Sequence, residues 1–370
     1  MTEQALAVFC RAPVIGQCKT RLIDLLGDPG ALAFAGVLVG ILFGVTAQKS
    51  HFCLRASTVE VAEGKLGPRL AVWLIAFTAA LTLVQALVSL ELLDLSEARA
   101  IASTGSLSGA VIGGAMFGIG MVLARGCASR LLVLASCGNL RALVTGLVLT
   151  LVAQAAYTGV LSPAREAISG LWTISGGAQR DLSAIIGLSP PAYTAVAAIG
   201  FVLAIVFAFH RNVAPAKIVT AAGVGGAVAL GWFMTYSIAQ ASFEVVPVSS
   251  VTFTGPATDT LMALVAERNV ALSFGIGLVP GVAIGAAGSA IVTGEWRIER
   301  FGSDTPMERY LVGAVLMGFG AMLAGGCAVG AGLSGGSALS LTAWLAVFFM
   351  WVGAIGTHRF LMRLPVLQHS

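Results

Sequence analysis

GGAMFGIGMVLARGCA, from Gly113 to Ala128, and GAVLMGFGAMLAGGCA, from Gly313 to Ala328, stand 200 residues apart in one chain. Eight of the sixteen positions are identical: Gly113, Gly118, Gly120, Leu123, Ala124, Gly126, Cys127 and Ala128, each with its counterpart. Abundant Gly and Ala inflate such a match, yet the shared Leu-Ala-x-Gly-Cys-Ala is hard to obtain from composition alone. An internal duplication explains it better. Each copy is a short apolar run leading into a Gly-Cys turn. Non-helical backbone at membrane depth finds no water to bond, so such turns must be buried in protein or line a cavity.

The surrounding composition demands a membrane. Of 370 residues, 57% are apolar and 10% charged, with mean hydropathy +0.93, far from the roughly 25% charge of soluble domains. The apolar residues fall in blocks long enough to cross a hydrocarbon core, which takes about 20 helical residues. Nine spans are predicted, near 31–48, 69–90, 107–124, 141–161, 192–210, 217–239, 270–292, 309–324 and 338–357. The expected fold is all-α: a polytopic membrane protein of about nine transmembrane helices, with an internal inverted duplication and re-entrant Gly-Cys loops. Repeat one covers about 31–161 and repeat two about 217–357, within a membrane transport domain of 28–370. One Gly-Cys loop follows the third span and the other the eighth, so the two helices run in opposite directions. Cys127 and Cys327 then approach the midplane from opposite faces. Gly36, Gly40 and Gly44, and Gly277, Gly281 and Gly285, repeat every four residues and are read as helix-packing faces.

Charge sets the expected orientation. Of the 21 Lys and Arg residues, fourteen fall on one side of this topology and seven on the other. The richer side, which carries Arg55, Arg125, Arg309 and the C-terminus, is expected to be cytoplasmic. No cleavable signal peptide is expected, and the net charge of +4 is explained by the loops, with nothing in it that points to nucleic acid.

The chemistry concentrates around cysteine. Small residues surround Cys127 (Arg125, Gly126, Ala128, Ser129) and Cys327 (Gly325, Gly326, Ala328, Gly330, Gly332). Glycine frees the backbone to turn its N–H groups into an anion-binding concavity, to which a following helix N-terminus adds its positive end. Cys53 stands past the first span in the basic segment Gln48 to Arg55. A thiol near cations is more reactive, and its S–H is a weak donor suited to a soft sulfur atom. The candidate substrate-binding residues are Cys53, Cys127, Cys327, Arg125, Ser129, Gly126, Gly326 and Ser334. Cys137 reads as an inert buried thiol, and Gln85, Gln154 and Gln240 as hydrogen-bond links between helices. No Cys-x-x-Cys occurs, and the four His residues do not fall near cysteines at ligand spacing, so neither zinc nor another cofactor is expected. A membrane thiol-disulfide oxidoreductase is the enzyme alternative; it requires two thiols within disulfide reach, with Cys127 and Cys327 as the pair to test. A channel for another small anion is a further alternative.

Two resemblances add to this. Residues 1–27 read as a short strand, a Pro-Gly loop and a helix start; Arg11, Ala12, Pro13 and the run Lys19, Thr20, Arg21 resemble the opening of bacterial glycosyltransferases of the arsenosugar-biosynthesis type. The rest of such an enzyme is replaced by the first span, so this segment is expected to be a non-functional remnant or a mis-called start, and Cys10 and Cys18 are discounted. The Ser50 to Cys53 run, GMVLARGC from Gly120 and GAMLAGGCAVGAGLSG from Gly320 resemble the YeeE/YedE family of bacterial inner-membrane sulfur transport proteins, over about residues 31–357. The resemblance implies that Cys53, Cys127 and Cys327 line a path for thiosulfate without net chemistry, and it implies a cytoplasmic sulfur-carrier protein of the sulfurtransferase type as partner. Arg125 replaces the first Gly of the family's Gly-Gly-Cys, and Ala331 stands where many members have His.

Overall fold

A computed structural model describes residues 13–242, 244–266, 271–300 and 307–363, with side chains from Leu26 onward. Cys10, Arg11 and Ala12, expected in a strand and loop, lie outside the described residues, as does Arg268. The side chains of Cys18, Lys19 and Arg21 are likewise undescribed.

The helices are α1 (Pro13–Ser50), α2 (Leu54–Ala62), α3 (Pro68–Ser89), α4 (Leu107–Leu123), α5 (Ala128–Ser136), α6 (Leu140–Tyr157), α7 (Pro190–His210), α8 (Pro215–Ala239), α9 (Thr254–Val265), α10 (Phe274–Val292), α11 (Met307–Leu323) and α12 (Leu341–Met362). A π-helical turn, Gly330–Gly335, stands between α11 and α12. Among the described residues, eight segments are long and apolar enough to cross a membrane; α11, at 17 residues, completes the predicted nine. The protein is an all-α polytopic membrane protein. The Pro-Gly loop expected near Pro13 is instead helical, because α1 begins there and breaks only at Gly27, whose φ of 68° is left-handed. The connections expected after spans one and six also hold helices: α2 and α9 are short, and hydropathy averaged over a full span passes over them.

Helix ends obey local chemistry. Pro occupies the first turn of α3, α7 and α8, where its missing N–H costs nothing. Ser106 and Asn139 cap α4 and α6 by accepting the amides of Gly109 and Ala142, each at 2.8 Å.

Packing reveals the inversion. A methyl group on Gly113 would lie 2.6 Å from the Gly320 carbonyl and the Ala324 amide; one on Gly313 would lie 2.7 Å from the Gly120 carbonyl and 2.6 Å from the Ala124 amide. Residue i of α4 thus meets the counterpart of residue j on α11, and j meets the counterpart of i. That is the signature of a two-fold axis, here internal, with α4 and α11 antiparallel across it. Other contacts pair in the same way: α1 with α10 as α8 with α3, α4 with α12 as α11 with α6, and α2 with α12 as α9 with α6; the packing of α7 on α3 has no counterpart among the described residues. The glycine faces of α1 and α10 interlock: a methyl on Gly40 would sit 2.5 Å from Leu278 O, and one on Gly281 2.5 Å from Val37 O.

Each face carries a strap that fixes the helix after its Gly-Cys loop. On one, the Leu140 amide donates to Glu299 O (3.1 Å), and the Asn139 side-chain amide donates to the Glu299 carboxylate. On the other, the Leu341 amide donates to Arg180 O (2.8 Å), while the Arg180 guanidinium donates to Ser103 O (2.5 Å) and Thr342 Oγ1 (2.7 Å).

Gly40→Ala is expected to lower unfolding stability in detergent by about 1–3 kcal/mol, the usual cost of overpacking, whereas Gly226→Ala, with open space where its methyl would go, should be neutral. Hydrogen bonds from Arg297 and then Asn139 hold the Glu299 carboxyl below its ordinary range. A group depressed by folding stabilises above its unfolded pKa and loses that contribution as pH falls through the folded one. Melting temperature should therefore fall on acidification below the ordinary carboxylate range, and Glu299→Gln should be lower at neutral pH and flatter towards acid.

Candidate functional site

Cys53 and Cys127 come from different elements and meet. Helix α1 ends at Ser50, whose hydroxyl bonds back to Thr46 O (2.7 Å); His51 turns the chain at φ 53°, and Cys53 becomes the N-cap of α2. Helix α4 ends in the two bonds of a Schellman motif, Gly126 N–H to Met121 O (3.1 Å) and Arg125 N–H to Val122 O (3.4 Å). Cys127 comes next as the N-cap of α5. The two thiols are neighbours close enough to interact, with the Ala56 amide near the Cys53 sulfur and the Arg130 amide near the Cys127 sulfur. Ser129 Oγ lies 3.4 Å from Cys127 Sγ. Both thiols are free and buried. Cys53, expected in a basic loop, is thus part of the interior.

Cys327 occupies the matching place in the inverted loop. It is free and 1% exposed, and its sulfur accepts the Gly330 amide at 3.4 Å. The π-helical turn beyond it is a rare form that is frequent at functional sites. Ser334 does not face an open path: its hydroxyl donates to Val251 O (2.6 Å), tying this turn to the strand-like segment before α9. The Gly126 and Gly326 amides are likewise spent on helix ends, donating to Met121 O and Ala321 O. The donors left for an anion are therefore the thiols and the first amides of α2 and α5, whose dipoles favour negative charge.

Beside α4 lies an open cavity of about 570 Å³ lined by Arg55, Arg125, Arg309 and His358 together with Val122, Leu361 and Met362. The sequence singles out Arg125 alone by its place in the duplicated loop. The same 200-residue shift sets Arg55 against Gly255 and Arg309 against Gly109, but only the structure brings the two to Arg125. Cys137, expected to be buried, is half-buried, with its sulfur 3.8 Å from Ala286 O. Gln85 joins α3 to the inverted loop through Ser337 O (2.8 Å).

Inverted halves, broken helices that bring thiols into the interior and a basic cavity at one end define a class of membrane proteins built to pass a small solute. More specifically, the chain belongs to the sulphur transport family, whose sequence profile matches residues 49–356. It is 27% identical over 350 residues to the thiosulfate transporter TsuA of Escherichia coli K12, covering 87% of this chain and 93% of that protein. It is also 27% identical over 344 residues to the thiosulfate transporter TsuA of Spirochaeta thermophila, covering 87% and 97%.

Mild oxidation of membranes should protect Cys53 and Cys127 together from alkylation, reversibly with dithiothreitol, and leave Cys327 reactive after denaturation. Protection of Cys127 with Cys327 instead would contradict the pairing.

Proposed function

We propose that this chain carries thiosulfate, or a closely related small sulfur-containing anion, inward across a bacterial inner membrane along a path lined by Cys53, Cys127 and Cys327. The observation that carries the reading is the pair of buried thiols, each at a helix start, with a third in the inverted loop. An S–H donates weakly to a soft sulfur atom, and helix N-termini offset the anion's lost hydration. The substrate leaves unchanged, so the protein acts as a transporter and not as an enzyme. The excess of Lys and Arg puts the face of Arg55, Arg125 and Arg309, and with it the C-terminus, in the cytoplasm. A sulfurtransferase-type carrier receiving the anion there fits this direction. The duplicated region, about 31–161 and 217–357, is the transport unit; the preceding segment contributes no catalysis.

One observation favours a second reading: the contact between Cys53 and Cys127 is what a thiol-disulfide exchanger requires. Serine separates the two, since its hydroxyl still donates a hydrogen bond but forms no disulfide. A bacterium lacking its own thiosulfate importers, given thiosulfate as sole sulfur source, is expected to grow with this chain and not with Cys127→Ala or Cys327→Ala at equal membrane abundance. Partial growth with Cys127→Ser fits conduction; none with Ser but unimpaired thiol exchange in the native chain supports the exchanger. Full growth with both alanine variants removes the cysteine path.

A further inference from the structure

At three positions that the duplication relates, one copy carries an arginine and the other a glycine. A shift of 200 residues sets Gly255 against Arg55, Gly325 against Arg125 and Gly109 against Arg309. The structure supports this alignment: Cys53 and Phe253 are the N-caps of α2 and α9, and α4 and α11 span Leu107–Leu123 and Met307–Leu323. One end of the fold thus gathers three guanidinium groups and the His358 imidazole around a cavity of about 570 Å³, where the other end has three glycines.

That arrangement is costly in two ways. Arg125 sits at the left-handed position of the Schellman motif with φ 53°, where the other copy has Gly325 at φ 77°. Any side chain with a Cβ is disfavoured there, and glycine would relieve it. Arg125 also lies within Coulombic reach of both Arg55 and Arg309, all three of like sign. Buried nitrogens at the cavity, Arg55 Nε, Arg309 Nε and His358 Nε2, have no hydrogen-bond partner. Among the described residues none of the three arginines forms an ion pair; Glu63 pairs with Lys65 at 3.3 Å and lies 3.6 Å from His358.

We infer that this cavity is a binding site for a small doubly charged oxyanion, and that it gives a nearly symmetric path two unequal ends. Guanidinium groups recognise tetrahedral oxyanions through paired, charge-assisted N–H donors. The anion offsets the mutual repulsion and partners the orphaned donors. An anion leaving the thiols is held on this face before release, while the opposite mouth, with glycines, holds it weakly. The cargo's identity rests on the transport reading; the site does not, because sulfate and thiosulfate share the charge and shape that it selects.

Isothermal titration of the full chain in zwitterionic nanodiscs, with thiosulfate and separately with sulfate, tests this. The native chain should bind both, more weakly as ionic strength rises. Arg125→Gly should weaken binding by about tenfold or more, the scale of one lost charge-assisted bond, without lowering the melting temperature, since glycine suits the turn. Arg309→Gln should weaken it similarly, Arg125→Lys should retain part of the affinity, and Gly226→Ala, remote from the path and with open space for its methyl, should bind as the native chain does. No binding of either dianion up to about ten millimolar, or native affinity in both Arg125→Gly and Arg309→Gln, overturns the inference. Arginine-dependent binding without growth on thiosulfate upholds the site and refutes the cargo. Growth on thiosulfate with binding unmoved by the arginines refutes the site alone.

Discussion

Helices α4 and α11 cross so closely that a single methyl group on Gly113 or Gly313 would press into the partner's backbone. In lipid no hydrophobic force draws helices together, because the solvent is as apolar as the side chains; close contact between small residues must supply the attraction. The crossing also positions the two Gly-Cys turns. The contact runs antiparallel along both helices to their ends at Leu123 and Leu323, so the two turns start from fixed points at opposite ends of the crossing. The turns can be non-helical at membrane depth because neighbouring protein shields them from lipid.

Much of this was legible in the sequence because bilayer thickness imposes a length and a composition on every span. The predicted spans and observed helices agree to within a few residues, and the glycine faces of α1 and α10 were visible as a four-residue repeat. The short helices α2 and α9 were not, since a nine-residue helix such as Leu54–Ala62 needs no span-length apolar block when other helices bury it. The partner of Cys127 was also hidden. Sequence symmetry draws attention to Cys327, whereas the neighbouring thiol is Cys53, at the start of a helix whose position depends on how α1 turns back at His51. Nor does sequence show which loop glycines keep free amides: Gly126 and Gly326 use theirs to end the preceding helices.

Duplication makes departures from symmetry informative. Where the halves must pack on each other, their residues agree: Gly113 with Gly313, Gly120 with Gly320, Ala124 with Ala324. Where they meet solute or solvent, they are free to diverge, and they do so in one direction. The half with Arg55 and Arg125 has thiols at both of its helix starts. Its counterpart has Cys327 at one and Phe253 at the other, with the phenyl ring packed 5.0 Å from that of Phe43. A ring that fills its pocket against another ring offers no donor to an anion. The asymmetry of charge at the mouth and that of thiols within therefore have the same sense. On the proposed path an anion would meet one thiol at the end of the fold that has the glycines and two at the end that has the arginines, so its interactions would strengthen towards the basic face. Such a gradient cannot drive net transport by itself. On the proposed path it would set where the anion dwells, and release from the basic face would then depend on whatever removes it from the arginines.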